Sequence, residues 1–213
     1  MINKTALVCL TAGVESTAAL LWAKANAKEV MALHVIMHPD FWQQGHHYSR
    51  EETEYVKNLC EDTDTKLYIK EYIPFDGEYK FVKDMMYWTL AAQEMMLYKN
   101  INWVLYGANS GLSYSGDEEG DGWFPVICEE MHSVINIWGK KIDDTNHLEI
   151  QHGDKQPVLN KAKMFPPLGF MSKAAQYKMI PQRLRKHIFT CWEPKDDLPC
   201  GHCKKCQEME KIR

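Results

Sequence analysis

Short apolar runs alternate with amphipathic stretches along the first half of the chain. The apolar runs carry β-branched residues and end at small or polar residues, which is typical of buried strands. The stretches between them have helical spacing. The pattern predicts strands at residues 5–10, 30–37, 67–73 and 103–106, and helices at 18–25, 49–60 and 80–99. Such alternation favours an α/β fold with a mostly parallel sheet and helices on both faces.

The second half of the chain is less regular. Residues 108–123 are rich in Gly, Ser, Asp and Glu without periodicity, which indicates a long loop after the carboxyl end of a strand. Ligands of open α/β sheets bind at that edge. We predict a helix at residues 124–138 and a short strand at 148–150. Residues 171–187 are helical in pattern, but Pro181 should divide them into two short helices.

Length and composition limit the classes of protein. The chain has 213 residues, 45% hydrophobic and 25% charged, which favours one globular domain over disorder. We assign residues 1–188 to this domain and 189–213 to a small C-terminal segment. No apolar run approaches the roughly 20 residues of a membrane span, and no secretion signal begins the chain. We therefore expect a soluble, cytoplasmic protein.

The net charge is −4 at neutral pH, which argues against a dominant nucleic-acid-binding surface. It does not exclude a local basic patch.

Four of the seven cysteines lie near the end of the chain with the spacing of a metal site. They are Cys191, Cys200, Cys203 and Cys206, and short Cys-x2-Cys loops preorganise tetrahedral thiolate ligands for Zn²⁺. Gly201 permits a sharp turn between two of them. His202 is a competing ligand that we expect to face solvent. Four thiolates would close the coordination sphere, so the zinc would be structural. Disulfides or unligated thiols are the alternative.

The turn after the first strand is a candidate anion site. Residues 11–17 read Thr-Ala-Gly-Val-Glu-Ser-Thr, with Ser16 and Thr17 able to cap the following helix. Backbone N–H groups at a helix start attract phosphate. The turn matches neither Gly-Lys-Ser/Thr nor Gly-x-Gly-x-x-Gly, and many α/β proteins use such a turn for packing alone.

These residues resemble the Ser-Gly-Gly-x-Asp-Ser pyrophosphate loop of ATP-pyrophosphatases. Together with the terminal cysteine pattern, the chain is similar over nearly its whole length to 7-cyano-7-deazaguanine (preQ0) synthases. Further resemblance lies in Gly45-His46-His47, in Pro166-Pro167-Leu168 followed by Met171-Ser172-Lys173-Ala174, and in Thr190-Cys191-Trp192.

The resemblance implies an adenine nucleotide alpha hydrolase-like fold and a ligase of queuosine and 7-deazaguanine biosynthesis. It would adenylate 7-carboxy-7-deazaguanine with ATP, let ammonia displace AMP, and convert the amide to the nitrile by a second adenylation. ATP, Mg²⁺ and structural Zn²⁺ are the implied cofactors. The host would be a bacterial, archaeal or virus-infected cell, and the assembly a homodimer with no membrane or nucleic-acid partner.

The resemblance also assigns residues. Glu15, Ser16 and Lys173 are the implied catalytic residues, and the four cysteines named above hold the zinc. The nucleotide would contact Leu10, Thr11, Ala12, Gly13, Val14, Glu15, Ser16, Thr17 and Gly107.

The chain departs from the family where nucleotide and substrate should lie. Ala12 stands for a glycine and Glu15 for an aspartate, Ser113 replaces an aspartate, and a Pro-Gly-Arg-Asn segment is missing. An acidic loop at residues 117–121 is a candidate Mg²⁺ ligand set or a solvated surface. Four alternatives stay open: a variant that stops at the amide, one that uses another carboxylate, a tRNA-thiolating or lysidine-forming ATPase, and a degenerate binding protein without turnover.

Overall fold

The computed structural model describes residues 2–37, 50–72, 101–108, 163–191, 193–195 and 198–213. Within these ranges the strands are β1 (Ile2–Cys9), β2 (Ala27–Met37), β3 (Lys66–Tyr72), β4 (Ile101–Leu105) and β5 (Lys163–Phe165). The α-helices are α1 (Val14–Asn26), α2 (Arg50–Asp62), α3 (Lys173–Met179) and α4 (Lys204–Ile212). A 3-10 helix spans Gln182–His187.

The five strands form one parallel sheet in the order β3-β2-β1-β4-β5. Val8 of β1 lies opposite Ala32 of β2 and Leu105 of β4. The α/β prediction with a mostly parallel sheet is therefore confirmed. The central strand β1 is buried on both faces at Ala6, Leu7 and Val8, which explains why it reads as a continuous apolar run.

The strand order creates a switch point beside β1. The chain leaves β1 through α1 to β2 on one side, whereas β4 pairs with β1 on the other side. Connections that diverge from neighbouring strands leave a crevice at the carboxyl ends of those strands, where α/β proteins bind ligands. The segments after Cys9 and after Leu105 border this crevice.

α1 packs its apolar side on the sheet. Leu20 and Ala23 are buried, and the Trp22 ring lies 5.6 Å from that of Trp103 and 5.9 Å from that of Phe165, between centroids. These ring contacts pack the second half of α1 on β4 and β5.

The boundaries differ from the predictions at several places. α1 begins at Val14 with Gly13 as its N-cap, so Ser16 and Thr17 lie in the first turn and the predicted capping role is wrong. The apolar Val14 is fully buried, which explains the earlier start. The division at Pro181 is confirmed. β5 and α4 were not predicted, because each is too short for a clear period.

Several predicted features lie outside the described residues. They are the helices at 80–99 and 124–138, the strand at 148–150, the loop beyond residue 108 with its acidic positions and Ser113, and residues 45–47. Within the described ranges, no helix has both the length and the apolar character needed to cross a membrane.

The end of α2 is joined to the 3-10 helix by an ion-pair cluster. His187 Nε2 lies 2.7 Å and Lys186 Nζ 3.3 Å from Asp62 Oδ2. The hydrogen bond from His187, followed by that from Lys186, holds the pKa of Asp62 below its ordinary value of 3.8. The cluster therefore depends on an ionised Asp62.

We expect Asp62→Asn to destabilise the protein at neutral pH, and this effect to shrink as the pH falls below 3.8, the ordinary pKa of the carboxyl group. A lowered folded-state pKa stabilises the fold above the unfolded-state pKa, and this contribution is lost as pH falls through the folded-state value. Urea midpoints measured between pH 7 and pH 3 test this, with Glu61→Gln as the control for charge removal one residue away. A constant difference between wild type and Asp62→Asn across that range would contradict the assignment.

Candidate functional site

Residues 11–16 form a compact loop, here called the β1 loop, which is closed by the Ser16 hydroxyl. Ser16 Oγ accepts from the Thr11 N–H at 3.2 Å, lies 3.2 Å from Thr11 Oγ1 and donates to Gly13 O at 3.3 Å. Ser16 is almost fully buried. Its hydroxyl therefore stabilises the loop itself, and the contact of Ser16 with a nucleotide stays a prediction.

The start of α1 supplies backbone donors at the crevice. The Thr17 N–H donates to Gly13 O at 3.0 Å, which is the first bond of the helix. The N–H groups ahead of it, from Gly13 to Ser16, have no acceptor within the helix. Such donors and the positive end of the helix dipole favour an anion. Thr17 Oγ1 is buried and has no hydrogen-bond partner in the part of the chain that the structure describes.

Ala12 holds a backbone conformation that favours glycine. Its φ is 53°, its side chain is fully buried, and its carbonyl accepts from the Phe189 N–H at 3.0 Å. A left-handed residue with a Cβ costs about 1–2 kcal/mol. The departure of Ala12 from the glycine of the resembled family thus has a physical consequence, which is a strained turn in the β1 loop.

We expect Ala12→Gly to be nearly neutral for stability despite complete burial. Relief of strain, about 1–2 kcal/mol, offsets the lost methyl burial, about 0.8 kcal/mol, and the added unfolded-state entropy, about 0.5–1 kcal/mol. The matched control is Ala19→Gly in α1, which has no strain to relieve and should cost about 1.5 kcal/mol or more. Equal losses in denaturant unfolding would contradict a strained Ala12.

Gly107 lies against the β1 loop, two residues after the end of β4. A Cβ at this position would lie 2.4 Å from Ser16 N and 2.6 Å from Glu15 C, distances that no real contact permits. The strand end and the helix start therefore approach each other as backbone on backbone. The predicted assignment of Gly107 to the site agrees with this position beside Glu15 and Ser16, although its contact with a nucleotide stays a prediction.

Two buried polar side chains that the sequence did not single out support this edge. Gln176 Nε2 donates to Ala108 O at 2.7 Å and to Leu168 O at 3.0 Å. His34 Nδ1 lies 2.8 Å from Leu10 O, while its Nε2 lies 3.1 Å from Thr53 Oγ1. In the sequence, Gln176 and His34 stand out only as polar residues within apolar segments. This signal does not reveal their hydrogen-bond partners.

A charged group flanks the β1 loop. Lys173 Nζ lies 3.6 Å from Glu15 Oε1 and 3.3 Å from Glu208 Oε2, and Lys205 Nζ lies 3.2 Å from the same Glu208 oxygen. Burial opposes ionisation of Glu208, but Lys205 and Lys173 together hold its pKa below the ordinary value. The structure thus brings two of the predicted catalytic residues, Glu15 and Lys173, together and adds Glu208, which the sequence did not suggest.

The four C-terminal cysteines converge as predicted. Cys191 Sγ lies 4.0 Å from Cys203 Sγ, Cys200 Sγ lies 3.9 Å from Cys206 Sγ, and all four sulfurs lie within 4.8 Å of one another. This set, here called the cysteine cluster, could hold a metal ion. Gly201 has a φ of 77°, which confirms the predicted turn. His202 is exposed and pairs with Glu193 at 3.2 Å, so its predicted exposure is confirmed as well.

Backbone donors surround the cluster sulfurs. The Cys200 and Glu193 N–H groups donate to Cys191 Sγ at 3.2 and 3.3 Å, and the Cys203 N–H donates to Cys200 Sγ at 3.3 Å. Such bonds favour thiolates. Burial has the opposite effect on the thiols. It raises the pKa of Cys206 to about 12 and that of Cys191 above its ordinary value. A metal would therefore have to displace the protons of Cys191 and Cys206.

The chain matches no protein-family model, and no curated protein is significantly similar to it. One similar solved structure is U34-tRNA thiolase NcsA from Methanococcus maripaludis with its 4Fe-4S cluster, at 11% identity and a TM-score of 0.42. The match covers 99% of this chain and 64% of that chain, so the chain spans less than two thirds of the thiolase. A likeness this low decides neither the reaction nor the metal of this protein.

Proposed function

We propose that this protein is an ATP-dependent ligase with an adenine nucleotide alpha hydrolase-like fold that converts a heterocyclic carboxylate and ammonia to a nitrile. The proposed substrate is 7-carboxy-7-deazaguanine and the product is 7-cyano-7-deazaguanine (preQ0). The proposal combines the motif resemblance with the geometry of the crevice. Variants that stop at the amide or use another carboxylate are outcomes of the same test.

One observation carries the nucleotide part of the proposal. The first turn of α1 opens at the switch point between β1 and β4, with Gly107 in backbone contact and Lys173 beside Glu15. A polyphosphate at this position would meet N–H donors of the β1 loop, the helix dipole and one ammonium group. All three interactions grow stronger as negative charge develops on the leaving pyrophosphate.

The chemistry is the activation of a poor leaving group. The carboxylate oxygen attacks the α-phosphate of ATP, pyrophosphate departs, and ammonia then displaces AMP from the acyl adenylate to give the amide. A second ATP activates the amide oxygen, and loss of AMP and a proton leaves the nitrile. In this scheme Lys173 and the β1 loop bind the phosphates, while Glu15 is suited to hold Mg²⁺ through its carboxylate.

The donor set and spacing of the cysteine cluster fit one structural zinc ion. A tetrahedron with zinc–sulfur bonds of about 2.3 Å has sulfur–sulfur edges of about 3.8 Å, close to the 3.9 and 4.0 Å separations. An iron–sulfur cluster puts several iron atoms between its cysteines and needs wider spacing. Four thiolates leave no open position, so the zinc would stabilise the fold without taking part in the reaction.

The thiolating alternative requires a reactive cysteine near the nucleotide. Cys60 does not suit that role, because burial raises the pKa of its thiol to about 12 and a reactive cysteine needs a lowered pKa. Cys128 lies outside the described residues. The proposed ligase needs no such thiol.

The test is product analysis by mass spectrometry after incubation with ATP, Mg²⁺, ammonium and 7-carboxy-7-deazaguanine. We expect the nitrile together with AMP and pyrophosphate, and their loss in Lys173→Met, with Lys178→Met on the exposed part of α3 as the control. The amide alone would identify a truncated reaction. If pyrophosphate is released only with a different carboxylate, that carboxylate is the substrate. Absence of AMP with every carboxylate, despite ATP binding, would favour the degenerate binding protein.

A further inference from the structure

Lys173 is an ammonium group whose position is determined by carboxylates from two distant segments. It is the first residue of α3, and its side chain is only 15% exposed. Glu208 Oε2 lies 3.3 Å away and Glu15 Oε1 lies 3.6 Å away. A mostly buried ammonium group is stable only when carboxylates or other acceptors replace its water. Lys173 therefore lies where Glu208 and Glu15 together hold it.

Glu208 belongs to α4, the helix that begins within the cysteine cluster. Cys203 is the N-cap of α4, Cys206 lies in its first turn, and Glu208 follows two residues later. The position of the Glu208 carboxylate therefore depends on the arrangement of the cluster.

A second contact joins the same C-terminal segment to the β1 loop. The Phe189 N–H donates to Ala12 O at 3.0 Å, two residues before Cys191. The Phe189 ring packs on Tyr55 of α2 with centroids 4.7 Å apart, which fixes this segment on the domain. The C-terminal segment thus contacts the β1 loop directly through Phe189, and indirectly through Glu208, which pairs with Lys173 beside Glu15.

We propose that Glu208 is a positioning residue that holds the Lys173 ammonium between the cysteine cluster and Glu15, so that the ordered cluster keeps the β1 loop ready for a nucleotide. The inference rests on the proposed function, because it assumes that Lys173 and the β1 loop bind ATP. Without Glu208, Lys173 pairs with Glu15 alone. Both side chains are then withdrawn from the phosphates and from Mg²⁺.

The test is a double-mutant cycle on ATP affinity measured by calorimetry with the metal-loaded protein. Glu208→Gln should weaken ATP binding about tenfold, the equivalent of one charge-assisted hydrogen bond. Glu210→Gln, the same change at an exposed position of α4, should leave it unchanged. In a Lys173→Met background, Glu208→Gln should have no further effect, because residues that act through one another are not additive.

Metal content and thermal stability separate positioning from a structural role. We expect Glu208→Gln to keep the same metal content per chain as wild type, and Glu208→Asp to restore part of the affinity. Equal and additive losses in both backgrounds, or an affinity that follows metal loss, would overturn the positioning role. Failure of the wild type to bind ATP would instead overturn the proposed function, so the two failures are distinguishable.

Discussion

Cys203→Ala should remove the bound metal and unfold at least the C-terminal segment. Metal binding to structural thiolate sites contributes about 10–16 kcal/mol in small zinc peptides, far more than a buried thiol contributes by packing. Cys203 is one of four converging cysteines that could hold a metal ion, and it is also the N-cap of α4. We expect one zinc per chain in the wild type and a large fall in metal content and melting temperature in the variant.

The control is Cys60→Ala, because the two cysteines are buried to a similar extent. Cys60 is 3% exposed and Cys203 is 6% exposed. Both changes remove a buried sulfur, but only one removes a proposed metal ligand. Cys60→Ala should keep its metal, and its stability should fall only by the modest amount that is typical of the cavity left by a large-to-small change in the core. If both variants lose the same stability and both retain metal, the cysteine cluster does not hold the ion.

Gly107→Ala should separate the end of β4 from the start of α1 and abolish nucleotide binding. The added methyl would lie 2.4 Å from Ser16 N and 2.6 Å from Glu15 C, and backbone atoms cannot turn aside as a flexible side chain can. Overpacking of this kind costs about 1–3 kcal/mol or more. Displacement of the loop by even about 1 Å can reduce a rate about 10²-fold, so catalysis should fall more than stability.

Gly13→Ala is the matched control within the β1 loop itself. A Cβ at Gly13 would lie 3.4 Å from Thr11 Oγ1 and 3.8 Å from Glu15 Oε2, at ordinary contact distance. Gly13 also has a φ of −68°, which alanine adopts readily. We expect Gly13→Ala to fold with little loss, while the larger Gly13→Val should block ATP by filling the space among these polar atoms. Normal ATP affinity in both Gly107→Ala and Gly13→Val, measured by calorimetry, would locate the nucleotide elsewhere.

The local pattern of the chain was sufficient to predict the parallel sheet. A strand buried on both faces must be apolar throughout, so β1, β2 and β4 were recognisable, although β4 ends at Leu105, one residue before the predicted end at Tyr106. Short elements were not recognisable in this way. β5 has three residues, and the nine-residue α4 is mostly polar, so neither offers a repeated spacing.

The site was predictable where chemistry is local in sequence and not where it depends on packing. The cysteine spacing predicted the convergence of four sulfurs, and the small residues predicted a turn after β1. The partners of these residues come from far along the chain, as with Phe189 on Ala12 and Glu208 on Lys173. The inward turn of the Ser16 hydroxyl likewise follows from the conformation of the loop, which no motif specifies.

The bond between Phe189 and Ala12 has a consequence for the order of folding during synthesis. The β1 loop leaves the ribosome well before Gly107, Phe189 and Glu208, which contact it or its neighbour Lys173. Contacts of such long sequence separation carry a large closure entropy and form late. A nascent chain can therefore pair β1 with β2 early, but it cannot complete the β1 loop until the C-terminal residues have emerged and docked.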